Sequence, residues 1–118
     1  MITILPSEKD NVITLTCLDD EKEKGYINFT IDGYIGVIND IVVYSIYNEK
    51  DNDEKIVFES LLKAMGSYIL NRSCFYIHNS NKELYTKLRE FGFIDKKDYQ
   101  ELTLNKLFNH SCNGGDIG

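Results

Sequence analysis

The chain has 118 residues, of which 42% are apolar and 27% charged, and its formal net charge is −6. That length makes one domain the default and lets roughly two-thirds of the unfolded surface be buried. The acidic balance disfavours phosphate backbones and anionic lipid, so no nucleic-acid partner and no membrane partner is expected.

No apolar run approaches the roughly 18 residues a bilayer span needs, and no basic region precedes an apolar core as in a signal peptide. Three cysteines, Cys17, Cys74 and Cys112, include no Cys-x-x-Cys pair. They read as reduced thiols in a cytoplasmic protein rather than as a disulfide framework or a zinc knuckle. Eight Tyr and six Phe without Trp suggest a sheet-rich core.

Met1–Leu5 alternates as a first strand, which Pro6 and the polar run Ser7–Asn11 are expected to break. Val12–Leu18 alternates again, with Ile13, Leu15 and Cys17 on the inner face. Asp19–Lys24, a run of mixed charge, reads as a solvated hairpin loop. Gly25–Ile31 is the next strand, and Asp32-Gly33 after it is a hairpin signal, both turn positions wanting positive φ. Tyr34–Tyr47 is too long for one flat strand, and Gly36 and Asn39-Asp40 mark a bulge or bend within it. The front half is therefore an antiparallel meander.

Asn48–Asp53 holds no apolar residue and reads as an exposed loop, with Asp53 as the N-cap of a helix that runs to Leu70. Val57, Leu61, Ala64, Met65 and Tyr68 form its apolar stripe, which Phe58, Leu62 and Ile69 widen. Gly66 costs that helix roughly 1 kcal/mol relative to Ala, so something should pack close there. Asn71-Arg72 closes the helix. Cys74–Ile77 is predicted as a strand, and His78–Ser80 as a loop. Ser80 or Asn81 caps a second helix with Leu84, Leu88 and Phe91 inward, and Gly92 ends it. Asp95–Asp98 is a charged turn and Tyr99–Leu107 a final strand, antiparallel beside Cys74–Ile77, with Leu107 out of phase. The predicted fold is α+β (α/β): a mixed sheet in which an N-terminal antiparallel meander precedes β-α-β-α-β, with one parallel strand pair. Residues 1–108 form the single domain, and 109–118 a flexible tail.

Several residues invite chemistry and have a plainer reading. His78 follows a strand, but a general base needs a positioned partner, and none is identifiable in the sequence. His110 and Cys112 lie two apart in a glycine-rich tail without a second pair, so no metal site is expected. Cys74 reads as a small buried hydrophobe, because no basic neighbour is visible to activate it. The acidic loop Glu49–Glu54 lacks the glycine and the glutamate register of an EF-hand. Gly114-Gly115 is not a phosphate cradle, since no helix follows.

From Gly25 to Leu107 the order of elements resembles the GNAT superfamily of acyl-CoA-dependent N-acyltransferases. Asp40-Ile-Val-Val-Tyr44 resembles its central strand, and Leu61-Leu62-Lys63-Ala64 the helix behind its pyrophosphate loop. Asn81-Lys-Glu-Leu84, followed by Leu88-Arg-Glu-Phe-Gly-Phe93, resembles its Asn-x-x-Ala and closing Gly-Phe pattern. The resemblance implies that acetyl-CoA pairs its pantetheine with Ile41, Val42 and Val43, beside a splay from Cys74–Ile77. It implies Lys55 as counter-charge to the pyrophosphate and Asn81 as a further cofactor contact. At the family's frequent general acid, a Tyr of the second helix, this chain has Leu88. Tyr85, three residues earlier, could substitute only if the ligand sat deeper, and is otherwise structural. The family's basic, glycine-rich turn is spelt here Asp53, Glu54, Lys55, Ile56, Val57 and Phe58.

Two functions are thus implied. One is an N-acetyltransferase that moves an acetyl group from acetyl-CoA to a small-molecule or protein amine. The other is a catalytically inactive module of the same fold that acts through protein contacts. It is motivated by the glycine-free acidic loop, and by the lack of an obvious helix pair between the first two strands. A homodimer that completes the sheet through the C-terminal strand is compatible with either.

Overall fold

The computed structural model describes residues 2–44 and 51–110. Four strands, β1 (Ile2–Lys9), β2 (Val12–Asp19), β3 (Lys22–Asp32) and β4 (Ile35–Val43), pair antiparallel in succession. Their turns are as short as hairpins allow. Asp10-Asn11 and Asp20-Glu21 hold φ at 54° and 68° and at 53° and 70°. Two positive φ values give the twist that flanking strands require, as in a type I′ turn. The charged run expected as a loop over Asp19–Lys24 is therefore a two-residue turn, and β3 is under way at Lys22.

The next turn sits one residue later than its Asp-Gly signal. Asp32 already pairs with Ile35, so the turn is Gly33-Tyr34. Only Gly33 takes a positive φ there (62°), as in type II′. Pro6 does not break β1, which runs on to Lys9. β1 is an edge of the sheet, where a missing N–H need not cost a ladder bond.

Ile13, Leu15, Cys17, Ile27, Phe29, Ile38 and Ile41 are buried on one face of this meander. Helix α1 (Asp51–Leu70) packs there, burying Val57, Phe58, Leu61, Leu62, Met65 and Ile69. The helix is already formed at Asp51, so Asp53 is not its N-cap. Part of the expected loop is helical; residues 48–50 lie outside the described residues.

Ser73 (φ 66°) turns the chain out of α1, and the Cys74 N–H returns to Ile69 O at 3.0 Å. This closure places Cys74 in the core and starts strand β5 at Tyr76, running to Asn79, two residues later than predicted. His78 is consequently a strand residue. β5 lies beside β4 and parallel to it, with α1 as the crossover.

Asn81 caps a single 3-10 turn, Lys82–Leu84, its side chain accepting from the Glu83 N–H. Helix α2 follows (Tyr85–Arg89). Gly92 (φ 99°) ends it. The Gly92 N–H bonds Arg89 O at 3.0 Å and the Phe93 N–H bonds Leu88 O at 3.2 Å, the two bonds of a Schellman motif.

β6 (Ile94–Asp95) and β7 (Gln100–Thr103) complete a sheet ordered β1-β2-β3-β4-β5-β7-β6, in which β7 is antiparallel to β5. β7 therefore has a neighbour on each side. The final strand stops at Thr103, short of the predicted Leu107, and helix α3 (Leu104–His110) takes over. Leu104 and Leu107, out of phase for a strand, are three apart on one helix face. Both are buried, and Leu107 packs over Gly66.

A Cβ at Gly66 would lie 2.7 Å from Leu107 Cδ2 and 3.3 Å from Phe108 Cζ. Gly66→Val should lower stability by about 1–3 kcal/mol through overpacking against α3, outweighing its gain in helix propensity. Urea denaturation measures this directly, and an unchanged midpoint would mean that α3 does not rest on α1.

Candidate functional site

β4 and β5 stay paired over four residues each, Ile35–Ile38 with Tyr76–Asn79. β4 then runs on to Val43, while β5 turns away. Two local features separate them. In the β3–β4 ladder Asn28 faces Asp40 and Phe29 faces Ile38, so Asn39 is the extra residue of a bulge that bends β4. The sequence signal at Asn39-Asp40 marks this place. Gly36 lies outside the bulge, paired with Ile31 and Ile77, where it leaves room for Met65 and Ile69.

The second feature is a polar network at the end of β5. Asn79 and Gln100 are the two buried polar side chains among the described residues. Asn79 Oδ1 accepts from the Asn81 N–H at 3.1 Å. Asn79 Nδ2 donates to Asn81 O and to Gln100 Oε1, both at 3.0 Å. These bonds draw the chain into a turn at once after β5. Gln100 Nε2 donates to Tyr85 O and to Asp95 Oδ1, each at 3.0 Å. Arg89 meets the same carboxylate, Nη2 to Oδ2 at 2.7 Å. The hydrogen bonds of Arg89 and Gln100 hold the Asp95 carboxyl below the usual carboxylate range. Its contribution to stability is therefore in place above the ordinary carboxylate pKa, and is lost as pH falls through the lowered value.

At the opening itself, side chains of the protein occupy backbone groups of β4. Asn81 Nδ2 donates to Asn39 O at 3.4 Å and to Asp40 Oδ1 at 3.3 Å. The Ile41 N–H donates to the same Asp40 oxygen at 2.9 Å. Ile41, Val42 and Val43 all lie beyond the last residue of β4 paired with β5. Asn81 and the Ile41 N–H thus share one Asp40 oxygen, at the start of the three strand residues.

α1 begins after β4 and α2 after β5, at the carboxyl ends of the parallel pair, the usual ligand position in such sheets. Between the two helices lies a groove of about 190 Å³, lined by Glu54, Lys55, Phe58, Lys87, Glu90 and Phe91. Lys55 is at this groove. Phe58 is buried, with its ring 5.6 Å from that of Phe91 and Lys87 Nζ 5.3 Å above it. Ile56 is exposed. Tyr85 is half-buried with the Arg89 guanidinium 6.0 Å from its ring, and is not among the groove residues; Leu88 is in the core.

A larger cavity, about 340 Å³, lies at the opposite end of β5 between Leu70, Phe75, Leu104 and Phe108. It is away from the parting of the strands and carries no charged group.

His78 has the partner that the sequence did not reveal: its Nε2 lies 2.9 Å from Glu101 Oε2, and its ring stacks on Tyr99 at 4.5 Å. Glu101 stands directly across the β5–β7 ladder from His78. The signal was the register of two strands far apart in the chain, which composition does not display. Cys17 and Cys74 are buried, and burial pushes both thiols up, against a nucleophilic role. No group of three or more metal-ligating side chains exists among the described residues. Cys112, Gly114 and Gly115 lie outside them.

Gln100→Leu would remove the side-chain donor to Tyr85 O and a partner of buried Asn79. The expected loss is about 1–3 kcal/mol in urea denaturation, the penalty for orphaned buried polar groups. A neutral result would mean that the network does not hold the turn after β5.

No protein-family model matches the sequence, and no curated protein matches it. Solved structures do. The aminoglycoside 6′-N-acetyltransferase from Enterococcus faecium superposes with a TM-score of 0.65 at 12% identity, over 81% of this chain and 74% of its own. Mutant forms of the spermidine/spermine N-acetyltransferase SpeG from Vibrio cholerae give 0.64 at 12% identity, over 88% of this chain and 74% of theirs. The PaiA N-acetyltransferase from Thermoplasma acidophilum, in complex with coenzyme A, gives 0.62 at 13% identity, over 79% and 61%. With its parallel β4–β5 pair set in an otherwise antiparallel sheet, this chain has the fold of the GNAT N-acyltransferases.

Proposed function

We propose that this chain is an acetyl-CoA-dependent N-acetyltransferase of the cytoplasm. The observation that carries the reading is the parting of β4 from β5 beyond Ile38 and Asn79. An unpaired strand edge is what a ligand with amide groups in an extended chain can pair with, and the pantetheine arm is such a chain. The bound ligand would supply an activated acetyl thioester.

The residues fit that ligand in kind. Asn39–Val43 offer the strand edge, and Asn81 and Asp40 already hold its first groups with amide-like hydrogen bonds that a ligand amide can replace. Lys55 and Lys87 in the groove between α1 and α2 can face a pyrophosphate. At about 190 Å³ the groove is smaller than the roughly 300–1,000 Å³ usual for a ligand pocket. It would thus take only part of an elongated molecule. The acceptor is a small-molecule or protein amine. Spermidine is a suitable first probe, given the substrate named for one protein of this fold.

One observation favours the second reading, an inactive module acting through protein contacts. Phe58 stands where a glycine-type position would let a ligand reach the backbone, and its ring is buried against Phe91.

Calorimetric titration with acetyl-CoA separates the two. Saturable binding at micromolar ligand is expected, and Lys55→Glu with Lys87→Glu should weaken it tenfold or more, about 1.4 kcal/mol. No heat at millimolar ligand would overturn the enzyme and leave the module.

A further inference from the structure

The helices α1, α2 and α3 pack from one side of the sheet, where Ile77, Asn79, Gln100 and Leu102 are buried. Strand alternation puts His78 and Glu101 on the other face, where the Tyr99 ring stacks on His78. Val37, His78 and Glu101 form one row across β4, β5 and β7, and β5 leaves β4 one residue after His78. The His78–Glu101 pair is partly shielded, with side chains 20% and 28% exposed. A carboxylate only accepts hydrogen bonds. Glu101 at 2.9 Å therefore requires the proton on Nε2 of the neutral ring, and Nδ1 keeps its lone pair.

We propose that His78 is the general base for the acceptor amine, which approaches on this face, where no helix of the described residues packs. Glu101 is its positioning residue, fixing the tautomer, and Tyr99 supports the ring. The proposal rests on the acetyl-transfer reading above. The donor lies toward the helix side of the opening, the acceptor reaches it from the opposite face, and the two meet where β4 and β5 separate. A second feature of this face fits an amine-bearing ligand. Asn28 and Asp40 face each other across β3 and β4, and Asn28 Oδ1 is a buried side-chain oxygen with no partner among the described residues. It is an acceptor awaiting an N–H donor.

The step balances as follows. A primary ammonium gives one proton to His78 Nδ1, and the freed nitrogen pair forms a bond to the acetyl carbon. The carbon–sulfur bond breaks, and sulfur leaves with its electron pair. The second nitrogen proton neutralises the sulfur, giving amide and thiol, and His78 returns its proton to solvent.

Four measurements on the full chain test this. Nitrogen NMR of the imidazole ring, assigned with His78→Gln, should show the Nε2–H tautomer in the wild type and its loss in Glu101→Gln. An Nδ1–H tautomer would overturn the proposal whatever the activity. Acetyl transfer to spermidine should fall about 10²–10⁴-fold in kcat for His78→Gln, the usual share of general-base catalysis, with the acid limb of the pH profile gone. The titratable groups facing His78 are Glu101 on β7, Tyr99 just before that strand and Tyr76 on its own strand, beside Val37 and Ile35 of β4. Glu101→Gln should keep a limb and lose rate.

Acetyl-CoA affinity and the urea midpoint of His78→Gln should equal the wild type. Unchanged kcat and pH profile in that variant would overturn the base assignment alone. Binding without transfer to spermidine would overturn it too, leaving the donor site standing. No binding of acetyl-CoA to the wild type would overturn the transferase reading, and the role of His78 with it.

Discussion

Two neighbouring parallel strands that stop pairing inside a sheet must satisfy their backbone groups some other way. In this protein β4 and β5 part after one short run, and the cost of that opening is met by side chains. Asp40 accepts a hydrogen bond from the Ile41 N–H, Asn81 Nδ2 donates one to Asn39 O, and buried Asn79 holds the turn that carries β5 away. Each bond is modest, about 1 kcal/mol net, but leaving any one buried group unpaired costs more than the bond contributes. The bulge at Asn39 and the Asn79–Gln100 contact act on the two strands that border the same opening, one bending β4 and the other holding the turn after β5.

The opening has two unlike sides. On the helix side, apolar packing is continuous from α1 through Phe58 and Phe91 to α2, so any ligand there lies along an aromatic wall flanked by Lys55 and Lys87. On the far side, β1 and β2 are joined by Asp10-Asn11 alone, which leaves no room for helices between them. That face keeps half-buried polar residues, His78, Glu101, Asn28 and Asp40 among them. A donor and an acceptor could thus approach from different sides without displacing the core, which is why the polar cluster near the parting weighs more than the larger apolar cavity at the other end of the sheet.

Much of the architecture was legible in the residue order. Alternation in Val12–Leu18 and Gly25–Ile31, the broad stripe of α1 and the Gly-Phe ending of α2 each reflect burial of one face, a local and periodic demand. So does the bulge signal at Asn39-Asp40. The errors fell where a distant contact decides. Pro6 was tolerated because β1 is an edge, which depends on what does not pair with it. β5 was displaced because the chain first closes α1 with the Cys74 bond to Ile69. Leu104–Leu107 became helical because Gly66, some forty residues earlier, offers a flat place for α3 to rest.

The chemistry divides in the same way. By itself the sequence determined the meander, the order α1, β5, α2, β7 and the parallel pair, because these follow from periodicity and turn chemistry within short windows; Ile41, Val42 and Val43 were marked only by the family resemblance. Only the tertiary structure decided that Asn81 reaches Asp40, that Phe58 lies on Phe91, and that Glu101 stands 2.9 Å from His78. Those pairs join residues 23 to 41 positions apart, and no local pattern encodes such contacts, since strand register and helix placement are set by the packing of whole faces.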